Sequence, residues 1–263
     1  MRELHRNGAT ARVYPTKQQL IDDAEAYLAS LINSTLAKKT SCAVALSGGS
    51  TPKPLYEALA RRADIDWSRV VIWFVDERNV PPDHPDSNYG MIDRALLGPA
   101  DIPACNIHRM QGELPAAEAA AEYARELHAS FTGTGVALPR FDVLLLGMGP
   151  DGHTASLFPG SPGLRERNAW VIANRVASKL LQLDTVRITL TFPVLNAAKN
   201  VAFLVSGKDK AEMLPRALSS SSVEVPSSLV HPVDGGLLWL CDADAAAALL
   251  PAPPTPPNNQ QPQ

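Results

Sequence analysis

Short aliphatic runs that stop abruptly in glycine or charge recur along this chain and restrict its fold more than any other feature. "CAVALSGG" begins at Cys42, "RVVIWFVDER" at Arg69, "FDVLLLGMG" at Phe141, "NVAFLVSG" at Asn200 and "GLLWLCD" at Gly236. Consecutive apolar positions over strand-length runs are the pattern of strands covered on both faces. Helical periodicity fills the intervals. From Thr16, a good N-cap residue, apolar side chains recur at Leu20, Ile21, Ala24, Leu28, Leu31 and Ile32, which defines one helical face. Pro52 opens "KPLYEALARR", Ser87 opens "NYGMIDRALL", and "AAEAAAEYARELHASF" runs up to the Gly133/Gly135 loop. "WVIANRV" and "RITLTF" supply more strands; "KDKAEMLPRAL", interrupted near Pro215, and "ADAAAALL" supply more helices. The alternation predicts an α/β fold, a largely parallel sheet with helices on both faces.

With 263 residues, 45% of them hydrophobic, the chain can bury a sizeable core. No linker or internal repeat divides it, so residues 1–250 are expected to form a single domain. "PAPPTPPNNQQPQ" at 251–263 has too little apolar content to offset the entropy of ordering and is expected to be a disordered tail; "SSSS" at 219–222 reads as a surface loop. A net charge of −3 offers no broad basic face for nucleic acid or a membrane surface, so an anionic partner should be small and held by a few cations and backbone donors. Cys42, Cys105 and Cys241 are odd in number and lack CxxC spacing, which argues against a disulfide framework and a zinc cluster. No HExxH motif calls for a metal, and neither GxxxxGK[ST] nor GxGxxG calls for a nucleotide cofactor. Neither a signal-type apolar stretch nor a run of about 20 apolar residues is present; the expected compartment is the cytoplasm. The oligomeric state is left open, a monomer included.

In an open parallel sheet, ligands bind beyond the carboxyl ends of the strands. After "CAVAL", Gly48 and Gly49 allow backbone N–H groups to approach an anion, and Ser50 and Thr51 add hydroxyls before a helix; a plain strand-to-helix turn would use the same glycines. After "VVIWFV", Arg78 could meet a phosphate through two parallel hydrogen bonds while Asp76 or Glu77 holds it in position, although such triplets are often solvated ion pairs. After "VLLL", Asp151 and His153 sit among Gly147, Gly149 and Gly152. A carboxylate beside an imidazole fixes its tautomer and supports its charged form, which makes His153 the best candidate base. Arg187, Lys208 and Lys210 add cations able to balance a phosphate dianion. Ser156 lies near His153 but lacks a GxSxG elbow, so no nucleophilic role follows.

Together, "ALSGGSTPKPLYEAL", "FVDERNVPPDHPDSNYGM", "LLLGMGPDGHTASLFPG", "RITLTFPVLNAAKNVAFLVSGKDKAEML" and "GLLWLCDADAAAAL" resemble, in order, the blocks of the 6-phosphogluconolactonases from about residue 10 to 250. The resemblance implies a Rossmann-like three-layer α/β sandwich and hydrolysis of 6-phospho-D-glucono-1,5-lactone, a phosphorylated sugar lactone, without a cofactor. It also implies His153 as the base, Arg78 as the arginine of the DER block, and a phosphate loop at Ser47–Thr51 assisted by Arg187 and Lys210. Lys208 is less securely matched. Glucosamine-6-phosphate deaminases share a related loop and a histidine block, but usually read MDEY and GHIAFNEP where this chain has Val75–Arg78 and His153–Pro159. A non-catalytic sugar-phosphate sensor is the third reading; no helix-turn-helix appendage supports it.

Overall fold

The aliphatic runs become the centre of a sheet because they lie between helices that cover their side chains. In the computed structural model, which describes residues 1–6, 8–131, 138–219 and 221–249, the strands are β1 (Arg2–Arg6), β2 (Ala9–Tyr14), β3 (Cys42–Leu46), β4 (Val70–Phe74), β5 (Asp76–Arg78), β6 (Ile107–His108), β7 (Val143–Leu146), β8 (Val171–Ser178), β9 (Leu183–Leu190), β10 (Asn200–Val205) and β11 (Gly236–Asp242). The helices are α1 (Lys17–Leu36), α2 (Lys53–Leu59), α3 (Asn88–Ile92), α4 (Ala116–Phe131), α5 (Phe192–Leu195) and α6 (Met213–Ser219).

The main sheet runs β1-β2-β11-β10-β7-β3-β4-β6. Every neighbouring pair in it is parallel except the β1–β2 hairpin. From β3 the chain grows outward through β4 to β6, then returns to lay β7 on the other side of β3 and grows outward through β10 and β11. That reversal separates the connections leaving β3 and β7 and opens a crevice at their carboxyl ends.

Local signals were obeyed closely. The Thr16 hydroxyl accepts from the Gln19 N–H at 3.2 Å, and α1 buries Leu20, Ile21, Ala24, Leu28 and Ile32. Ser87 caps α3 through the Gly90 N–H at 3.1 Å.

The antiparallel elements depart from expectation. β8 and β9 do not enter the parallel sheet; with β5 they form a second, three-stranded antiparallel sheet, order β5-β9-β8. The connection between Ser178 and Leu183 is too short for a parallel crossover, and Val171, Asn174 and Val176 are buried while Ala173, Arg175 and Ala177 are exposed, so β8 is covered on one side. Val75 links the sheets: its N–H donates to Leu46 O at 3.0 Å, and its carbonyl accepts from the Leu190 N–H at 2.9 Å. The β1–β2 hairpin was not anticipated.

"ADAAAALL" forms turns as far as Leu249 instead of a helix; the Asp242 carboxylate accepts from the Ala245 N–H at 2.8 Å and also from the Ser206 hydroxyl and the Gly207 N–H. Lys208–Lys210 makes a 3-10 turn, and Pro215 falls in the first turn of α6, where its missing N–H costs nothing. The Gly133/Gly135 loop, Ser220 and the 251–263 tail lie outside the described residues. No described helix is long and apolar enough to cross a membrane.

At the opposite end of the sheet from the crevice, buried Asp142 joins three segments. One carboxylate oxygen accepts from Lys39 Nζ at 2.5 Å and Lys199 Nζ at 2.8 Å, and the other from the Ala43 N–H at 3.1 Å. Burial pushes this carboxyl up, but the lysine and backbone hydrogen bonds outweigh it and hold the group below its ordinary range. The stabilisation is therefore complete above the unfolded-state value of about 3.9 and is lost as pH falls through the lower folded value. Both lysines are partly exposed, so Asp142→Asn should cost about 1–2 kcal/mol at neutral pH, below the range for fully buried pairs. Urea denaturation should show that gap narrowing below about pH 4.

Candidate active site

The four central strands, β10, β7, β3 and β4, each end in a segment that lines one cleft of about 200 Å³. Ser47–Pro52 follows β3, Asp76, Arg78 and Asn88 follow β4, Gly147–Gly149 with His153 and Ala155 follow β7, and Ser206 and Lys210 follow β10. Arg187 reaches it from β9.

The loop after β3 presents unused donors. Among the described residues, the N–H groups of Gly48, Gly49, Ser50 and Thr51 meet no acceptor. Gly49 has φ of +110°, a conformation glycine adopts without strain. A Cβ on Gly48 would stand 1.8 Å from Asn88 Oδ1, so only a glycine lets these segments touch. The Ser47 hydroxyl is committed to the fold: it donates to Leu145 O at 2.8 Å, while Tyr56 Oη donates to Ser47 O.

The DER segment divides its labour differently from expectation. Neither acid binds the Arg78 guanidinium. Buried Glu77 accepts from the N–H groups of Arg78, Asn88 and Tyr89, each at 2.7 Å, and from the Ser87 hydroxyl at 3.1 Å, which fixes the start of α3. Burial raises its pKa against the opposing pull of those N–H donors. Asp76 accepts from Ser156 Oγ at 2.6 Å and from Asn88 Nδ2. The Arg78 guanidinium donates to the carbonyl of Asp86.

Arg78 and Arg187 are directly opposite each other in the β5–β9 register. Among the described residues neither forms an ion pair, and both Nε atoms are buried without a partner. Burial lowers the Arg187 pKa, with Asp76 opposing and the like charge of Arg78 adding to the effect. Two adjoining guanidiniums with spare donors in a cleft constitute a receptor for an anion. Lys210 adds a third cation, paired with Asp209; Lys208 is exposed and does not line the cleft.

In the same cleft, His153 is held on three sides. Its Nδ1 lies 2.5 Å from Asp151 Oδ1, its ring stacks on Phe158 with centroids 3.9 Å apart, and Gly149 approaches its edge. Burial pushes the Asp151 carboxyl up, but the hydrogen bond and charge of His153 prevail and hold it below the ordinary carboxylate range. An ionised Asp151 at Nδ1 places the ring proton there and leaves Nε2 as an acceptor. The turn is tight enough that Ala155 adopts φ of +49°. Ser156 is fully buried and its hydroxyl donates to Asp76, so it offers no exposed nucleophile.

Of the sequence-nominated residues, Ser47, Gly48, Gly49, Ser50, Thr51, Asp76, Arg78, His153, Arg187 and Lys210 line the cleft, whereas Glu77, Asp151 and Lys208 do not; Glu77 is spent on the start of α3, and Asp151 binds His153. Asn88 and Ser206 were missed: an asparagine after a helix cap and a serine after a strand are commonplace in sequence. The "SNYG" cap did locate the turn that carries Asn88.

The glucosamine-6-phosphate isomerase/6-phosphogluconolactonase family profile matches residues 15–239. A 6-phosphogluconolactonase of Nostoc sp. is 39% identical over 244 residues, covering 91% of this chain and 98% of its own. The solved 6-phosphogluconolactonase of Trypanosoma cruzi superposes with a TM-score of 0.81 at 29% identity, covering 92% of this chain and 97% of its own. A monomeric glucosamine-6-phosphate deaminase shares the fold, with a TM-score of 0.77 at 20% identity over 90% of this chain and 99% of its own. By profile, sequence and architecture, the chain belongs to the glucosamine-6-phosphate isomerase/6-phosphogluconolactonase family.

Proposed function

We infer that this chain hydrolyses 6-phospho-D-glucono-1,5-lactone to 6-phosphogluconate in the oxidative pentose phosphate pathway, acting in the cytoplasm as a single domain over residues 1–250. The observation that carries the reading is that one cleft gathers unspent guanidinium and N–H donors together with a carboxylate-oriented imidazole. The identity to named lactonases supports the same reaction.

The substrate phosphate docks on the N–H groups of Gly48–Thr51 with Arg187 and Lys210, fixing the lactone carbonyl beside His153. His153 Nε2 takes a proton from water as the water oxygen bonds to C1, and the carbonyl oxygen becomes an oxyanion. The Gly149 and Gly152 N–H groups are already donated to His153 O and Gly149 O, which favours the free donors of Arg78 as the oxyanion partner. When the tetrahedral intermediate collapses, the C1–ring oxygen bond breaks and the imidazolium returns its proton to that oxygen. No covalent enzyme intermediate is required.

The test offers purified protein the phosphorylated lactone and, separately, glucosamine 6-phosphate, following acid release and ammonia release. Lactone turnover well above the spontaneous rate upholds the reading. Ammonia release would assign a deaminase, and binding without turnover a sensor. Arg187→Ala should raise KM about 10- to 100-fold with a smaller change in kcat, the pattern of a lost ground-state anion contact. An unchanged KM would remove Arg187 from the phosphate site.

A further inference from the structure

Asn88 holds a polar atom that the reaction above does not use. Its side chain is 2% exposed, and Oδ1 has no hydrogen-bond partner among the described residues. The amide orientation is fixed by chemistry: Nδ2 donates to Asp76 O at 2.9 Å and Asp76 Oδ1 at 3.3 Å. Rotating the amide would set Oδ1 against those two acceptors. The backbone is held as well, since the Asn88 N–H donates to Glu77 Oε1 at 2.7 Å. Oδ1 thus rests against Gly48, rigidly placed and unpaired, on a residue that lines the cleft.

A buried carbonyl without a donor is costly to a fold, and such groups are commonly satisfied by a ligand. Phosphate as the dianion has no proton to give, and an acceptor repels it. The donor has to come from elsewhere on the substrate.

We propose that Asn88 Oδ1 accepts a hydrogen bond from a hydroxyl on the sugar ring and so makes Asn88 a specificity-determining residue for polyhydroxylated lactones. This rests on the lactonase reading. A site built around such a bond discriminates strongly against an analogue lacking the hydroxyl, because the acceptor is then left buried and unpaired. Arg187 and Lys210 select the charge of the substrate, and Asn88 selects its hydroxylation.

The experiment compares kcat/KM for the parent lactone and its 2-, 3- and 4-deoxy analogues, all 6-phosphorylated, in the unaltered protein and in Asn88→Ala. One deoxy analogue should be about 10- to 100-fold poorer than the parent with the unaltered protein. That penalty should shrink to about twofold or less in Asn88→Ala, because the acceptor is gone. An equal penalty in both proteins would overturn the proposal. So would the absence of any penalised analogue with the unaltered protein, a result that stands even if Asn88→Ala fails to fold. Failure to turn over the parent lactone at all would instead reject the reaction itself.

Discussion

His153→Asn should lower kcat on the phosphorylated lactone by about 10²- to 10⁴-fold, the usual contribution of a positioned general base, while KM changes by no more than about threefold. Asparagine has an amide N–H to offer Asp151 in place of Nδ1–H, but it has no basic nitrogen to receive a proton from water. The proposed phosphate cradle lies on other segments, after β3, on β9 and after β10, so binding should survive the substitution. Initial rates of acid release, corrected for spontaneous hydrolysis, and competition by 6-phosphogluconate give kcat and affinity separately. Retention of full turnover would show that another group activates the water. A rise in KM alone would place His153 in binding and not in proton transfer.

Much of that arrangement was legible before the coordinates. The runs of aliphatic side chains identified the central strands, and the rule that ligands sit at carboxyl ends nominated the segments that do converge. What could not be read was how each polar group is spent. Glu77, adjacent in sequence to Arg78, turns away to collect three N–H groups, because a buried carboxylate at a helix start satisfies orphan donors that no other group reaches. Lys208 and Lys210 look equivalent in sequence, yet the 3-10 turn after Gly207 directs only Lys210 into the cleft. The β8–β9 hairpin was available from its short connection and alternating burial pattern, and treating its apolar residues as further parallel strands hid the register that pairs Arg78 with Arg187.

The same pairing explains how a chain of net charge −3 can hold an anion. Attraction at a distance is unnecessary when two partly buried guanidiniums are brought side by side by strand register, since a partly desolvated charge pair interacts with an anion far more strongly than exposed charges do. The cost is repulsion between the arginines in the free protein, offset by rigid strands and by Asp76 close to Arg187. Binding should therefore depend less on salt than it would at an exposed basic patch.

Gly149→Ala should disable the enzyme almost as thoroughly as loss of the histidine, although it removes no functional atom. A Cβ at this position would stand 2.1 Å from both Cε1 and Nδ1 of His153 and 2.9 Å from Asp151 Oδ1. Phe158 stacks on the ring, so the methyl group has to break the Asp151–His153 hydrogen bond or swing the imidazole out of line. A misplacement of about 1 Å can cost on the order of 10²-fold in rate, and kcat should fall by at least about that factor. KM should stay within about threefold of its original value, because Gly48–Thr51, Arg187 and Lys210 are untouched. Thermal unfolding distinguishes this outcome from global damage: with a folded variant and unimpaired competition by 6-phosphogluconate, the lost rate reports the position of one ring. If Gly149→Ala kept its kcat, the imidazole would have to work from a position other than the one against Gly149.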